Sequence, residues 1–172
     1  MRRRTAGFSM IELMMVVAIL ALLAAAAMPV FGRYIRRSKA TEAVMSLRRI
    51  YNGAVSYFSA DHADSGGELV EHTFPVSTAP TPDLSTLGAT RVITRVWDGH
   101  PTWDALGFSI SDPHFYAYQY DSSGVDNSAR FTASAFGDLD GDGLYGTFVR
   151  FGTVDAMMVR GGQMLYVQQQ TE

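Results

Sequence analysis

Apolar residues run almost unbroken from Phe8 to Phe31, and a single carboxylate, Glu12, interrupts them. Leu13 to Val30 alone is 18 residues without a charge, close to the roughly 20 that cross a bilayer as a helix. Beyond Gly32 the pattern changes. Apolar or small residues recur at Ala40, Val44, Leu47, Tyr51, Ala54 and Phe58, spaced four and three apart, which is one face of a helix. Arg36, Arg37, Arg48 and Arg49 lie largely off that stripe. The two patterns together predict a helix from Phe8 to Ala60, about 80 Å long at 1.5 Å per residue. Pro29 is expected to kink or locally melt it, and Gly32 adds to the weakness. The Gly/Asp-rich stretch Asp61 to Gly67 ends it. The second half is expected to pack its stripe against a globular head.

The composition then changes. Residues 61–113 are rich in Gly, Pro, Ser and Thr, and Thr78 to Pro82 reads as a loop. Arg91 to Trp97 reads as a short strand, with Trp103, Leu106 and Phe108 placed against a sheet edge. Residues 114–172 carry β-branched and aromatic runs at Phe115–Tyr120, Arg130–Phe136, Tyr145–Phe151, Val154–Val159 and Gln163–Val167. Gly161-Gly162 suggests a two-residue hairpin between the last two. One long helix, a variable loop region and an antiparallel sheet make an α+β layout.

Charge sharpens this division. The 172 residues leave room for one modest domain and an anchor, and they contain no cysteine, so no disulfide staples the fold. The net charge of −3 hides a split. From Phe8 to Ala60 there are six Lys/Arg against two acids, whereas Asp61 to Glu172 holds five Arg against fifteen acids. An acidic head on a basic stem has no electrostatic reason to seek nucleic acid.

Glu12 is the residue to explain. An ionised side chain inside a membrane-length segment costs roughly 2.5–3.5 kcal/mol on insertion scales. No basic residue lies near it on the same helix face, so a partner is expected from elsewhere. A cleaved secretory signal with a small-residue site at Ala24 to Met28 and an uncleaved anchor both fit the hydropathy. The arginines on either side of the span leave the orientation open. The pattern as a whole decides. A short basic leader, Met1 to Gly7, ends in glycine; Phe8 follows; Glu12 is the fifth residue after Gly7 and Pro29 the twenty-second. This resembles the N-terminus of type IV prepilins and pseudopilins.

The resemblance covers residues 1 to about 60. It implies a lollipop-shaped fold with segments 1–7 (leader), 8–32 (membrane and filament-core helix), 33–60 (helix packed on the head), 61–113 (variable loops) and 114–172 (sheet). It implies that a prepilin peptidase cuts between Gly7 and Phe8 and N-methylates Phe8. The mature subunit then waits in the bacterial inner membrane, in contact with lipid and the pilus assembly machinery. Finally it polymerises with copies of itself into a surface pilus, Glu12 pairing with the Phe8 amine of a neighbour. A pseudopilin of a type II secretion system, building a periplasmic fibre, shares the same N-terminus. A membrane-anchored binding protein that never polymerises is the rival of another class, and it has no use for a carboxylate at position 12.

Elsewhere the chemistry is sparse. Asp138-Leu-Asp140-Gly-Asp142-Gly143 matches the first half of a calcium loop, with carboxylates at alternate positions and the Leu144 carbonyl as a further candidate ligand. Val149 stands where the twelfth-position Glu belongs, so an EF-hand is not expected. Asp126 or Asp155 would have to fold back to complete a shorter site. Calcium is thus a candidate ion and no cofactor is required. His62, His72, His100 and His114 are scattered without ligand spacing and read as surface or turn residues. Asp98 and Asp104 beside Trp97 and Trp103 suggest a sugar-binding face, but a small aromatic core accounts for them more simply. No P-loop, HExxH or G-x-S-x-G is present, and the sequence reads as a non-enzyme.

Overall fold

The computed structural model describes residues 7–63, 66–88, 90–92, 97–161 and 166–168. Helix α1 spans Met10–Phe58. It is unbroken at Pro29 and Gly32, so the expected melting there does not occur. The chain divides into two compact units within this helix, between Ile35 and Arg36.

In the second unit one face of α1 is buried through Ala40, Ala43, Ser46, Leu47, Ile50, Ala54 and Phe58. The face is rotated from the expected one. Val44 is 38% exposed and Tyr51 only half-buried, while Ala43, Ser46 and Ile50 take the centre. The reason is size: small residues let the helix approach the sheet, whose Tyr116, Tyr118 and Tyr120 fill the space beneath it. Gly53 extends this logic, because a Cβ there would run into the carbonyl of Leu106. At its end α1 is capped by two rings. His62 Nε2 bonds the Tyr57 carbonyl and His72 Nδ1 the Phe58 carbonyl, both at 2.9 Å. The Tyr57 carbonyl also accepts the Ala60 N–H at 3.1 Å, while the Phe58 carbonyl at the last helical residue has no intrahelical donor and takes its bond from the His72 ring.

The sheet has six strands: β1 Thr78–Thr81, β2 Tyr116–Ser123, β3 Arg130–Gly137, β4 Gly146–Asp155, β5 Met158–Arg160 and β6 Tyr166–Gln168. All pairings are antiparallel, in the order β1-β2-β3-β4-β5, with β6 also on β4. Alternation buries Phe131, Ala133 and Ala135 of β3 toward the helix, together with the β2 tyrosines. Thr78–Thr81 is an edge strand rather than a loop; an edge tolerates Pro80 because no ladder needs its missing N–H.

The last strands depart further from expectation. β4 runs ten residues through Gly152 and Thr153, where two separate strands were expected. Its reversal is at Ala156 and Met157, both at positive φ (50° and 61°), the geometry of a two-residue hairpin turn. Neither residue is a glycine, which is why the sequence conceals it. β5 and β6 pair with β4 in the same direction, Arg160 opposite Thr153 and Tyr166 opposite Val149. They therefore lie along one edge of β4 and, among the described residues, do not pair with each other as the arms of a hairpin would. Gly161 instead lies against the Tyr51 ring, where a Cβ would collide. Gly162 and residues 163–165 are outside the described residues, as are leader residues 1–6 and positions 93–96 of the expected Arg91–Trp97 strand. What is described of that strand is a single bridge between Val92 and His114.

Helix α2, Pro101–Ala105, carries Trp103 into the core. Trp97, Trp103 and Phe108 meet with centroids 5.3–5.5 Å apart. Trp97 and Trp103 are 2% and 0% exposed, which removes the sugar-face reading. His114 is buried against Trp97, contrary to a surface placement.

Candidate functional site

The start of α1 brings three of the expected residues together. Gly7 is exposed, and a Cβ on it would meet nothing within 4 Å. No packing demand explains the glycine. Phe8 is 85% exposed. Ser9 then caps the helix: its Oγ accepts the Glu12 N–H at 3.3 Å, and Glu12 Oε2 accepts the Ser9 N–H at 3.1 Å and its hydroxyl at 3.0 Å. This is a capping box, S-x-x-E, with the carboxylate in the first turn, where the helix dipole favours negative charge. The role is readable in the spacing Ser9-x-x-Glu12.

From Met10 to Ile35 every large apolar side chain is exposed, among them Leu13, Leu20, Leu22 and Phe31. The most apolar 18-residue window of α1 is not buried at all. Such a surface is stable in lipid or against other apolar helices, not in water. Pro29 sits inside this stretch, about 25 Å along the axis from Glu12 at 1.5 Å per residue. It does not contribute to the capped end.

The Asp-rich loop joins β3 to β4. Asp138 is 4% exposed and works as a turn-former: Oδ1 accepts the Gly141 N–H at 2.6 Å and Oδ2 that of Gly143 at 3.1 Å. Asp142 Oδ1 accepts the Leu144 N–H at 2.7 Å. Carboxylate oxygens of Asp138, Asp140 and Asp142 lie within 4.8 Å of one another. The two residues expected to complete the set do not. Asp126 and Asp155 belong to the opposite end of the sheet, since Arg130 pairs with Thr153 there while Gly137 pairs with Gly146 at the loop. Asp126 accepts the His72 N–H and Asp155 pairs with Arg160. The loop's backbone bonds account for Asp138 without an ion.

A third cluster ties α1 to the sheet. Glu42 accepts the Phe115 N–H at 2.9 Å, while Lys39 and Arg91 lie 4.3 and 4.9 Å from the Phe115 ring centroid. Burial raises the Glu42 pKa; the Phe115 N–H and the nearby His114 and Arg91 pull the other way. This cluster fastens the helix to the residue that leads into β2.

Comparison with known proteins points to the first of these places. The prokaryotic N-terminal methylation motif matches residues 2–28. The chain is 48% identical over 56 residues to the type IV major pilin protein PilA of Myxococcus xanthus (strain DK1622). That stretch is 33% of this chain and 26% of the relative, so the likeness takes in about a quarter of the relative's length. No solved structure matches the chain. A methylation motif at the head of an exposed apolar helix, with an α+β unit following, makes this chain similar over its N-terminal third to type IV pilins.

Proposed function

We propose that the chain is the structural subunit of a type IV pilus: exported as a prepilin, cleaved after Gly7, N-methylated at Phe8 and polymerised through the apolar half of α1. The observation that carries this is the fully exposed apolar helix bearing one carboxylate in its first turn. Bundling with copies of itself buries that surface. Both capping bonds fall on Glu12 Oε2, and among the described residues nothing occupies Oε1. Oε1 is therefore open to the Phe8 ammonium of a neighbour, and two opposite charges buried together cost far less than either alone. The pairing sets register along an otherwise featureless apolar bundle.

Two substitutions separate pairing from capping. Glu12→Gln preserves the capping box, because an amide oxygen accepts the same bonds, but removes the charge. Ser9→Ala removes the cap and leaves the charge. Pairing predicts that Glu12→Gln inserts in the membrane yet abolishes filaments while Ser9→Ala forms them; normal filaments from Glu12→Gln would refute it. Processing is read from intact mass and N-terminal sequencing of the native chain. A methylated Phe8 start is the expected result, and a start at Met1 or after Ala27 overturns the proposal. Recovery in the sheared surface fraction separates a pilus from a periplasmic pseudopilus, and a processed chain that stays monomeric in the membrane means an anchor alone.

A further inference from the structure

The outward face of α1 in the second unit has an unusual composition. Arg37, Thr41, Val44, Met45 and Arg48 follow one another at helical spacing and are all exposed. Val44 and Met45, 38% and 65% exposed, form an apolar centre between two guanidinium groups. No acid balances them, because Glu42, the one acid of residues 33–60, is turned to the Phe115 N–H. The sheet-bearing part carries the opposite sign. Asp98, Asp112, Asp121, Asp140 and Asp142 are exposed, and none joins an ion pair among the described residues. A single ion pair forms among those residues, Arg160 Nε to Asp155 Oδ2 at 3.1 Å. Among the described residues, Arg37 and Arg48 on the helix and these five aspartates on the sheet-bearing part are exposed and join no ion pair within one copy.

We propose that the Arg37–Arg48 face of α1 docks on the acidic C-terminal unit of a second copy of this chain. The inference rests on the polymerisation reading above and names a contact outside the apolar bundle. The chemistry matches on both counts that define an interface: an apolar centre, here an adaptable methionine, and a charged rim that meets its opposite. The symmetry matches as well. Two different complementary surfaces on one chain make a heterologous contact, which propagates into open helical filaments rather than closing into a dimer. Pairing across copies also makes productive use of charges that would otherwise only repel within each surface.

The test uses the full-length chain in its native membrane. The double variant Arg37→Glu, Arg48→Glu should be cleaved and methylated normally, and its C-terminal unit should melt as wild type does, since both side chains are exposed. Its yield of sheared filaments should fall roughly tenfold, as expected for two exposed pairs turned repulsive. Arg37→Lys, Arg48→Lys should assemble. A photocrosslinking residue at position 45 should capture residues 61–172 of another copy. Undiminished filaments from the double Glu variant overturn the proposal and leave the pilin reading standing. Crosslinks to lipid overturn it in favour of anionic headgroups. If the wild-type control is unprocessed and forms no filaments, the pilin reading falls and the docking with it.

Discussion

The two halves of α1 place their apolar residues in different ways. Between Met10 and Ile35 apolar side chains surround the helix and are exposed on every side. Between Ala40 and Phe58 they occupy one face, and that face is buried. Composition separates the halves, since Leu13 to Val30 carries no charge while the second half holds Arg36, Arg37, Lys39, Glu42, Arg48 and Arg49. Arrangement separates them further. A helix apolar all round needs an apolar medium outside the chain, while a helix with one apolar face finds its medium in its own sheet. The first half therefore turns its apolar surface outward, and the second serves the fold.

Core truncation breaks this comparison most strongly. Leu47→Ala or Ile50→Ala, at fully buried sites, should cost about 2–5 kcal/mol in urea unfolding of the C-terminal unit. Leu20→Ala should leave that transition where it is. Gly53→Ala sharpens the point without removing an atom: the added methyl meets the Leu106 carbonyl and should cost about 1–3 kcal/mol. Gly32→Ala, where a Cβ meets nothing, should be neutral or slightly stabilising by helix propensity. Asp138→Ala strands the N–H groups of Gly141 and Gly143 and should lower stability by about 1–3 kcal/mol, read as a shifted urea midpoint. His72→Ala frees the Phe58 carbonyl and should cost about 1 kcal/mol.

The smallest effect concerns pH. Burial raises the Glu42 pKa in the folded chain. The folded state then binds the proton more tightly than the unfolded state. The benefit is full below the ordinary carboxylate pKa and is lost as pH rises through the raised value. Glu42→Gln removes that loss, so its urea midpoint should gain on wild type between pH 4 and pH 7. A gap that narrows as pH rises would reverse the sign assigned to Glu42.

Much of the fold was legible because it rests on local periodicity. Spacings of three and four marked α1, and β-branched and aromatic runs marked β3 almost whole and β2 as far as Tyr120, three residues short of its end. The misreadings share a cause. Thr78–Thr81 holds a proline that only an edge position excuses, and edge position is a property of the whole sheet. Ala156 and Met157 turn the chain with no glycine, held in part by Asn127, whose side chain accepts the Met157 N–H at 2.8 Å from 30 residues away. Asp126 and Asp155 looked available to the Asp-rich loop until the strand register set them at the other end of the sheet.

What the sequence determined by itself is whatever a short stretch of chain decides: the basic leader, Gly7 before Phe8, the Ser9–Glu12 cap, the apolar span and the change of period beyond Gly32. Local sterics and the cost of exposing apolar surface act over a few residues, so a few residues reveal them. The tertiary structure alone decided which face of α1 is buried, that β5 and β6 share one edge, that the tryptophans are core, and that Arg37 and Arg48 stand exposed while Glu42 turns to the Phe115 N–H. Those outcomes depend on contacts between residues far apart in the chain, where volume and register choose the partner and no local pattern records the choice.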